Sequence, residues 1–197
     1  MSRKKLIDSS CYPDIDTLQA LSVKINCINE NEETIEHGTG TLFANNGSYY
    51  VITAAHCILN NTTKSFYDKR YIQISLPHIC KTLIEVNEIL EFNSDDDADF
   101  ALLSVKLDID SFPISFDYEN DIQFIDKDEF CTNTCFYGYT SSEPTGRMFR
   151  ARMVSTNTYE VEENAISATG ADFSRVMKGS SGGGIFVEYE NRIFCLG

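Results

Sequence analysis

The sequence predicts an all-β protein, a barrel or a sandwich, and three observations predict it. Apolar and polar residues alternate with a period of two in many short runs. Gly, Asn and Asp, the residues that make turns, break those runs at close intervals. Helical periodicity is scarce, and no internal repeat is present. At 197 residues with 42% hydrophobic content, the chain can build a real core, as one large domain or two packed halves.

Residues 1–20 read as a polar, irregular N-terminal segment with a short helix near Ile15–Leu21. Leu21–Ile28 is the first clear strand, with a clean period of two. Asn29–Glu36 reads as an acidic turn. Gly38–Ala44 is a second strand whose glycines suggest a bulge or close backbone approach. Asn45-Asn46-Gly47-Ser48 is a strong hairpin signal, and Tyr49–Thr53 is the return strand, running into Ala54-Ala55-His56-Cys57. Tyr71–Leu76 and Thr82–Phe92 are further β-like runs. The acidic stretch Asn93–Asp99 opens onto the apolar run Phe100–Val105. Residues 107–130, acidic and carrying Pro113, read as the connection between two halves. Strands resume at Phe130–Tyr139, Met148–Thr156, Ala165–Ala168, Ile185–Tyr189 and Arg192–Leu196.

A net charge of −14 argues against a nucleic-acid partner, because phosphate binding needs a basic face. No apolar run approaches the ~18 residues of a membrane span. The basic start Met1–Lys5 is followed by Leu6-Ile7-Asp8-Ser9-Ser10 and not by an apolar signal core, so a cytoplasmic protein is expected. The seven cysteines are scattered and odd in number, which suits reduced thiols, several of them small core residues. Cys131 and Cys135 have a CxxxC spacing, but no second ligand pair lies nearby, so no metal is assigned.

Three places carry chemistry. In Lys178-Gly179-Ser180-Ser181-Gly182-Gly183-Gly184 a serine is bracketed by glycines that free the backbone for φ > 0 and for close approach to a ligand. The N–H groups of Gly179 and Ser181 suit a developing oxyanion. Taken alone the run also suits a flexible turn or linker. His56 follows a buried strand and has small neighbours, which suits a general base on a rigid element. A lone histidine is also commonly a core residue with satisfied hydrogen bonds. His37 and His78 lack such a setting and are expected at the surface. Asp99 abuts an apolar strand, so burial would call for a partner such as a histidine N–H. It suits a strand start or turn equally well.

His56, Asp99 and Ser181 follow the order His, Asp, Ser of a chymotrypsin-type triad. The local sequences carry the resemblance. Gly40-Thr41-Leu42 with Val51-Ile52-Thr53-Ala54-Ala55-His56-Cys57 resembles the GGSL…VVTAAHC segment of trypsin-like serine peptidases. Asp99-Phe100-Ala101-Leu102-Leu103 resembles their DIALL strand, and Gly179-Ser180-Ser181-Gly182-Gly183-Gly184 is similar to GDSGGP. The resemblance covers residues 20–197.

It implies two antiparallel six-stranded β-barrels, over residues 21–112 and 113–197, with a cleft between them. It implies a serine endopeptidase that hydrolyses peptide bonds through an acyl-enzyme. Ser181 would attack, His56 would act as base and then acid, Asp99 would orient His56, and the Gly179 and Ser181 amides would hold the oxyanion. No cofactor or metal is called for, and the partner is a protein or peptide substrate.

The chain departs from the family in four ways. The usual disulfide partner of Cys57 corresponds to Gly38, which agrees with a reducing compartment. Ser180 replaces the aspartate that secreted members pair with a newly cut N-terminus, which places the chain nearer the intracellular and bacterial branch. Counted back without gaps, Arg175 corresponds to the base of the family's primary specificity pocket, with Lys178 assigned to the same pocket, so the resemblance implies an acidic P1 residue; a surface arginine is the other reading. Family members continue beyond the strand that ends here at Gly197, so the second barrel is expected to be incomplete and the chain to be a module of a larger protein, regulatory or defensive, with further domains or partner subunits. Two other readings stand beside the enzyme: a peptidase-like binding module, and a peptidase activated by a partner that reorders the Ser181 loop.

Overall fold

A computed structural model describes residues 12–60, 62–79, 83–95, 98–108, 122–124, 133–140, 145–155, 158–162, 179–189 and 192–195. It opens with the expected helix, α1 (Ile15–Leu21). Asp14 caps it, its carboxylate accepting the Thr17 N–H at 2.9 Å, and Leu18, Ala20 and Leu21 turn inward. The strands that follow are β1 (Ser22–Ile28), β2 (Thr34–Asn45) and β3 (Ser48–Thr53). A short pair comes next, β4 (Leu59–Asn60) and β5 (Ser65–Phe66), and then β6 (Ile72–Ser75), β7 (Glu85–Asp95) and β8 (Ala98–Lys106). The rest are β9 (Ile122–Phe124), β10 (Asn133–Gly138), β11 (Arg147–Ser155), β12 (Thr158–Glu162), β13 (Phe186–Tyr189) and β14 (Arg192–Cys195).

These strands make two six-stranded sheets and one small two-stranded one. The first sheet runs β6-β1-β2-β3-β8-β7 and is antiparallel throughout. It curls, because Ile84, the residue before β7, donates its N–H to Ile74 of β6 at 2.8 Å and so brings the two edges together. The second sheet runs β12-β11-β10-β13-β14-β9, antiparallel except that β9 lies parallel to β14. An all-β reading of the sequence fits this architecture.

Side-chain alternation explains how the first sheet packs. Val23 and Ile25 of β1, Leu42 of β2, Val51 of β3, Ile74 of β6 and Leu103 of β8 are all fully buried. The β2–β3 hairpin turns at Asn46 (φ 51°) and Gly47 (φ 72°), the two successive positive angles a type I′ turn requires. Among the described residues four buried cysteines, Cys27, Cys57, Cys135 and Cys195, add to the core, as small apolar residues would. Burial pushes Cys27 and Cys135 up to about 12, which leaves them unreactive.

Two tyrosines tie the second sheet to the first sheet and to α1. Tyr139, fully buried just after β10, donates its hydroxyl proton to the Ser22 carbonyl at 3.0 Å. Tyr137 of β10 accepts from Gln19 of α1 at 3.3 Å.

Several expectations need correction. β2 begins at Thr34, inside the stretch read as an acidic turn. Part of the stretch read as a connection forms β9 and joins the second sheet beside β14. β12 and the β4–β5 pair had no clear signal in the sequence. Cys131 and the expected strand at Ala165–Ala168 lie outside the described residues.

Candidate active site

His56 is presented by a single 3-10 turn, Ala55–Cys57, immediately after β3. Ala55 and Cys57 point inward and are buried, which forces the residue between them outward, and the His56 side chain is 52% exposed. Asp99 reaches it through sheet register. β3 and β8 pair as Thr53↔Ala101, so two residues further along Asp99 falls beside the turn. Its side chain is 39% exposed, more open than its place against an apolar strand suggests.

The carboxylate grips His56 twice. One oxygen accepts the His56 backbone N–H at 3.1 Å, and the other bonds ring Nδ1. A neutral ring that donates through Nδ1 presents Nε2 as an acceptor, the state a general base needs. The His56 pKa is raised from 6.5 to about 9. Hydrogen bonding with the Cys57 side chain contributes most, partial burial acts the other way, and the Asp99 hydrogen bond adds to the rise.

The glycine loop is docked against this turn. Gly179 (φ 100°) and Gly182 (φ 82°) lie in the left-handed region that only glycine enters without strain. A Cβ at Gly182 would come within 2.6 Å of the Ala54 nitrogen and would overlap Thr53 Oγ1. A Cβ at Gly179 would meet the His37 ring at 2.5 Å and the Tyr139 carbonyl at 2.6 Å. The Ser181 carbonyl accepts the Thr39 N–H at 2.8 Å and the Cys57 thiol at 3.4 Å. The Ser180 carbonyl accepts the Gly183 N–H at 3.1 Å. A trans peptide sets its N–H opposite its C=O, so this bond turns the Ser181 N–H away from Gly183.

Gly38 faces Cys57, where a Cβ would overlap the Cys57 sulfur. That is the position at which the family resemblance puts the partner of a disulfide. His37, expected at the surface, is only partly exposed: its ring lies against Gly179 and its Nε2 is buried. The reason is that β2 crosses directly under the glycine loop. His78 is exposed as expected, and its ring also meets the Tyr137 hydroxyl at 2.9 Å.

The sequence missed Thr39, Thr53 and Tyr139 as supports of the loop. Thr39 lies between Gly38 and Gly40, and that pair of glycines was the available signal of a close backbone approach. Arg175 and Lys178 lie outside the described residues. Among the described residues no group of three or more His, Cys, Asp or Glu side chains gathers to hold a metal, and no helix is long and apolar enough to cross a membrane. No protein-family model matches the chain, and no curated protein is similar to it.

Proposed function

We propose that this chain is a trypsin-like serine endopeptidase, cleaving protein or peptide substrates through an acyl-enzyme in the cytoplasm. The observation that carries the reading is the two-point grip of Asp99 on His56 beside a glycine loop docked on the same turn. Ser181 is the nucleophile. His56 Nε2 takes its proton and returns it to the leaving amine. Asp99 fixes the ring and steadies the imidazolium. The Ser181 and Gly179 amides receive the oxyanion. The two six-stranded sheets are read as the two barrels of that family.

A second reading has its own support. A His56 held protonated toward pH 9 is a poor base at neutral pH, which favours a module at rest until a partner within a larger assembly lowers that pKa.

Fluorophosphonate labelling read by intact mass tests the proposal on wild type, Ser181→Ala and His56→Ala. Wild type is expected to gain one adduct and both variants none, with folding checked by circular dichroism. A folded wild type that stays unlabelled from pH 7 to 10 overturns the enzyme reading. Labelling that appears only with a partner present selects the second reading.

A further inference from the structure

Thr39 stands out in the first sheet because every polar group it owns is used, and its N–H and its hydroxyl both reach outside that sheet. It is fully buried in β2. Its N–H donates to the Ser181 carbonyl at 2.8 Å. Its own carbonyl accepts the Thr53 hydroxyl at 2.7 Å. Its Oγ1 accepts the Tyr139 N–H at 3.0 Å, which commits its single proton to the Gly179 carbonyl at 2.9 Å.

We propose that Thr39 is a positioning residue for the oxyanion loop, a reading that rests on the peptidase function above. The relay Tyr139 N–H to Thr39 Oγ1–H to Gly179 C=O runs from the second sheet through the first and back. It holds the Gly179 carbonyl, while the Thr39 N–H holds the Ser181 carbonyl two residues on. With the Ser180 carbonyl held by Gly183, three successive peptide planes are fixed. The N–H groups of Ser180, Ser181 and Gly182 are fixed with them, since each opposes its own carbonyl. Gly179 is further confined between the His37 ring and the Tyr139 carbonyl. A glycine-rich loop that would otherwise sample many backbone states is thereby kept in one, and the Ser181 donor is set before substrate arrives. The hydroxyl is the essential part, because valine has the same shape and can neither accept from Tyr139 nor donate to Gly179.

The test compares Thr39→Val with Thr39→Ser in the full chain. The first readout is the rate of fluorophosphonate labelling, and of acylation by a chromogenic ester with kcat and KM separated. The second is backbone amide exchange over residues 179–183. Thr39→Val is expected to acylate about 100-fold more slowly with little change in KM, since a small misplacement of a reacting group costs that much. Its loop amides should exchange about tenfold faster, as loss of the hydrogen bond to the Gly179 carbonyl, the one of the two deleted bonds that the loop itself accepts, predicts. Thr39→Ser should stay near wild type in both. A Thr39→Val that acylates at the wild-type rate overturns the proposal, and so does a Thr39→Ser as slow as Thr39→Val. If Thr39→Val fails to fold, Thr39→Ala takes its place with the same outcomes. If wild type itself takes no label, the peptidase reading fails, and exchange then decides the clamp: faster exchange in Thr39→Val alone supports it, and unchanged exchange overturns it.

Discussion

At the scale of single residues, the protonation of His56 would govern the peptidase proposed above. Its pKa is raised to about 9, so the protonated form dominates at neutral pH and the base form becomes the major one only above that value. Acylation, measured as kcat/KM, should therefore rise about tenfold per pH unit below the midpoint and level off above it. Cys57→Ala removes the largest contribution to the rise and should move the midpoint down toward the ordinary histidine range. A pH–rate profile of both proteins checks this, and an unchanged midpoint in Cys57→Ala would show that the thiol has no part in it. The same shift has a sign for stability. The charged His56–Asp99 pair contributes fully below pH 6.5, and the contribution fades as pH rises through about 9. The ring is half exposed and solvent screens the pair, so that contribution is small.

At the scale of elements, two glycines with similar backbone angles sit in very different surroundings. Gly47, at the tip of the β2–β3 hairpin, has φ 72° and open space around it. Gly182 has φ 82° and is pressed against Thr53, Thr39 and Ala54. Gly47→Ala should cost only the left-handed strain of about 1–2 kcal/mol. Gly182→Ala adds steric overlap with backbone and should cost more, on the order of 3 kcal/mol or above, together with loss of labelling. Urea denaturation of the two variants measures the difference. Equal losses would mean that the glycine loop is not docked on the His56 turn.

At the scale of the whole molecule, the two sheets are coupled by a few buried polar contacts centred on Tyr139. Its hydroxyl donates to Ser22 at the start of β1, and its backbone N–H donates to Thr39 in β2. Tyr139→Phe keeps the ring and deletes only the first of these bonds, leaving the Ser22 carbonyl without that donor. It should lower stability by about 1–2 kcal/mol while unfolding stays a single transition with an unchanged urea slope. A loss within experimental error would show that the hydroxyl does not couple the sheets. A biphasic curve would show that they unfold separately.

What the residues fixed locally was legible in advance. Alternating apolar positions gave the strands of the first sheet, because side chains on a strand change face at every residue. Asn46-Gly47 gave the hairpin, because few residues tolerate two positive φ angles in succession. His56 could be picked out because it follows a buried strand among small residues, and Asp99 because it abuts the apolar run Phe100–Val105. The tertiary structure alone decided the rest. β9 is three residues long and acquires strand character only from pairing with β14, so no local pattern marked it. His37 is partly covered because β2 runs beneath a loop more than a hundred residues away in the chain. Thr39 and Tyr139 became supports of the Ser181 loop for the same reason. Hydrogen bonds across such separations depend on which strands become neighbours, and residue type and spacing do not carry that information.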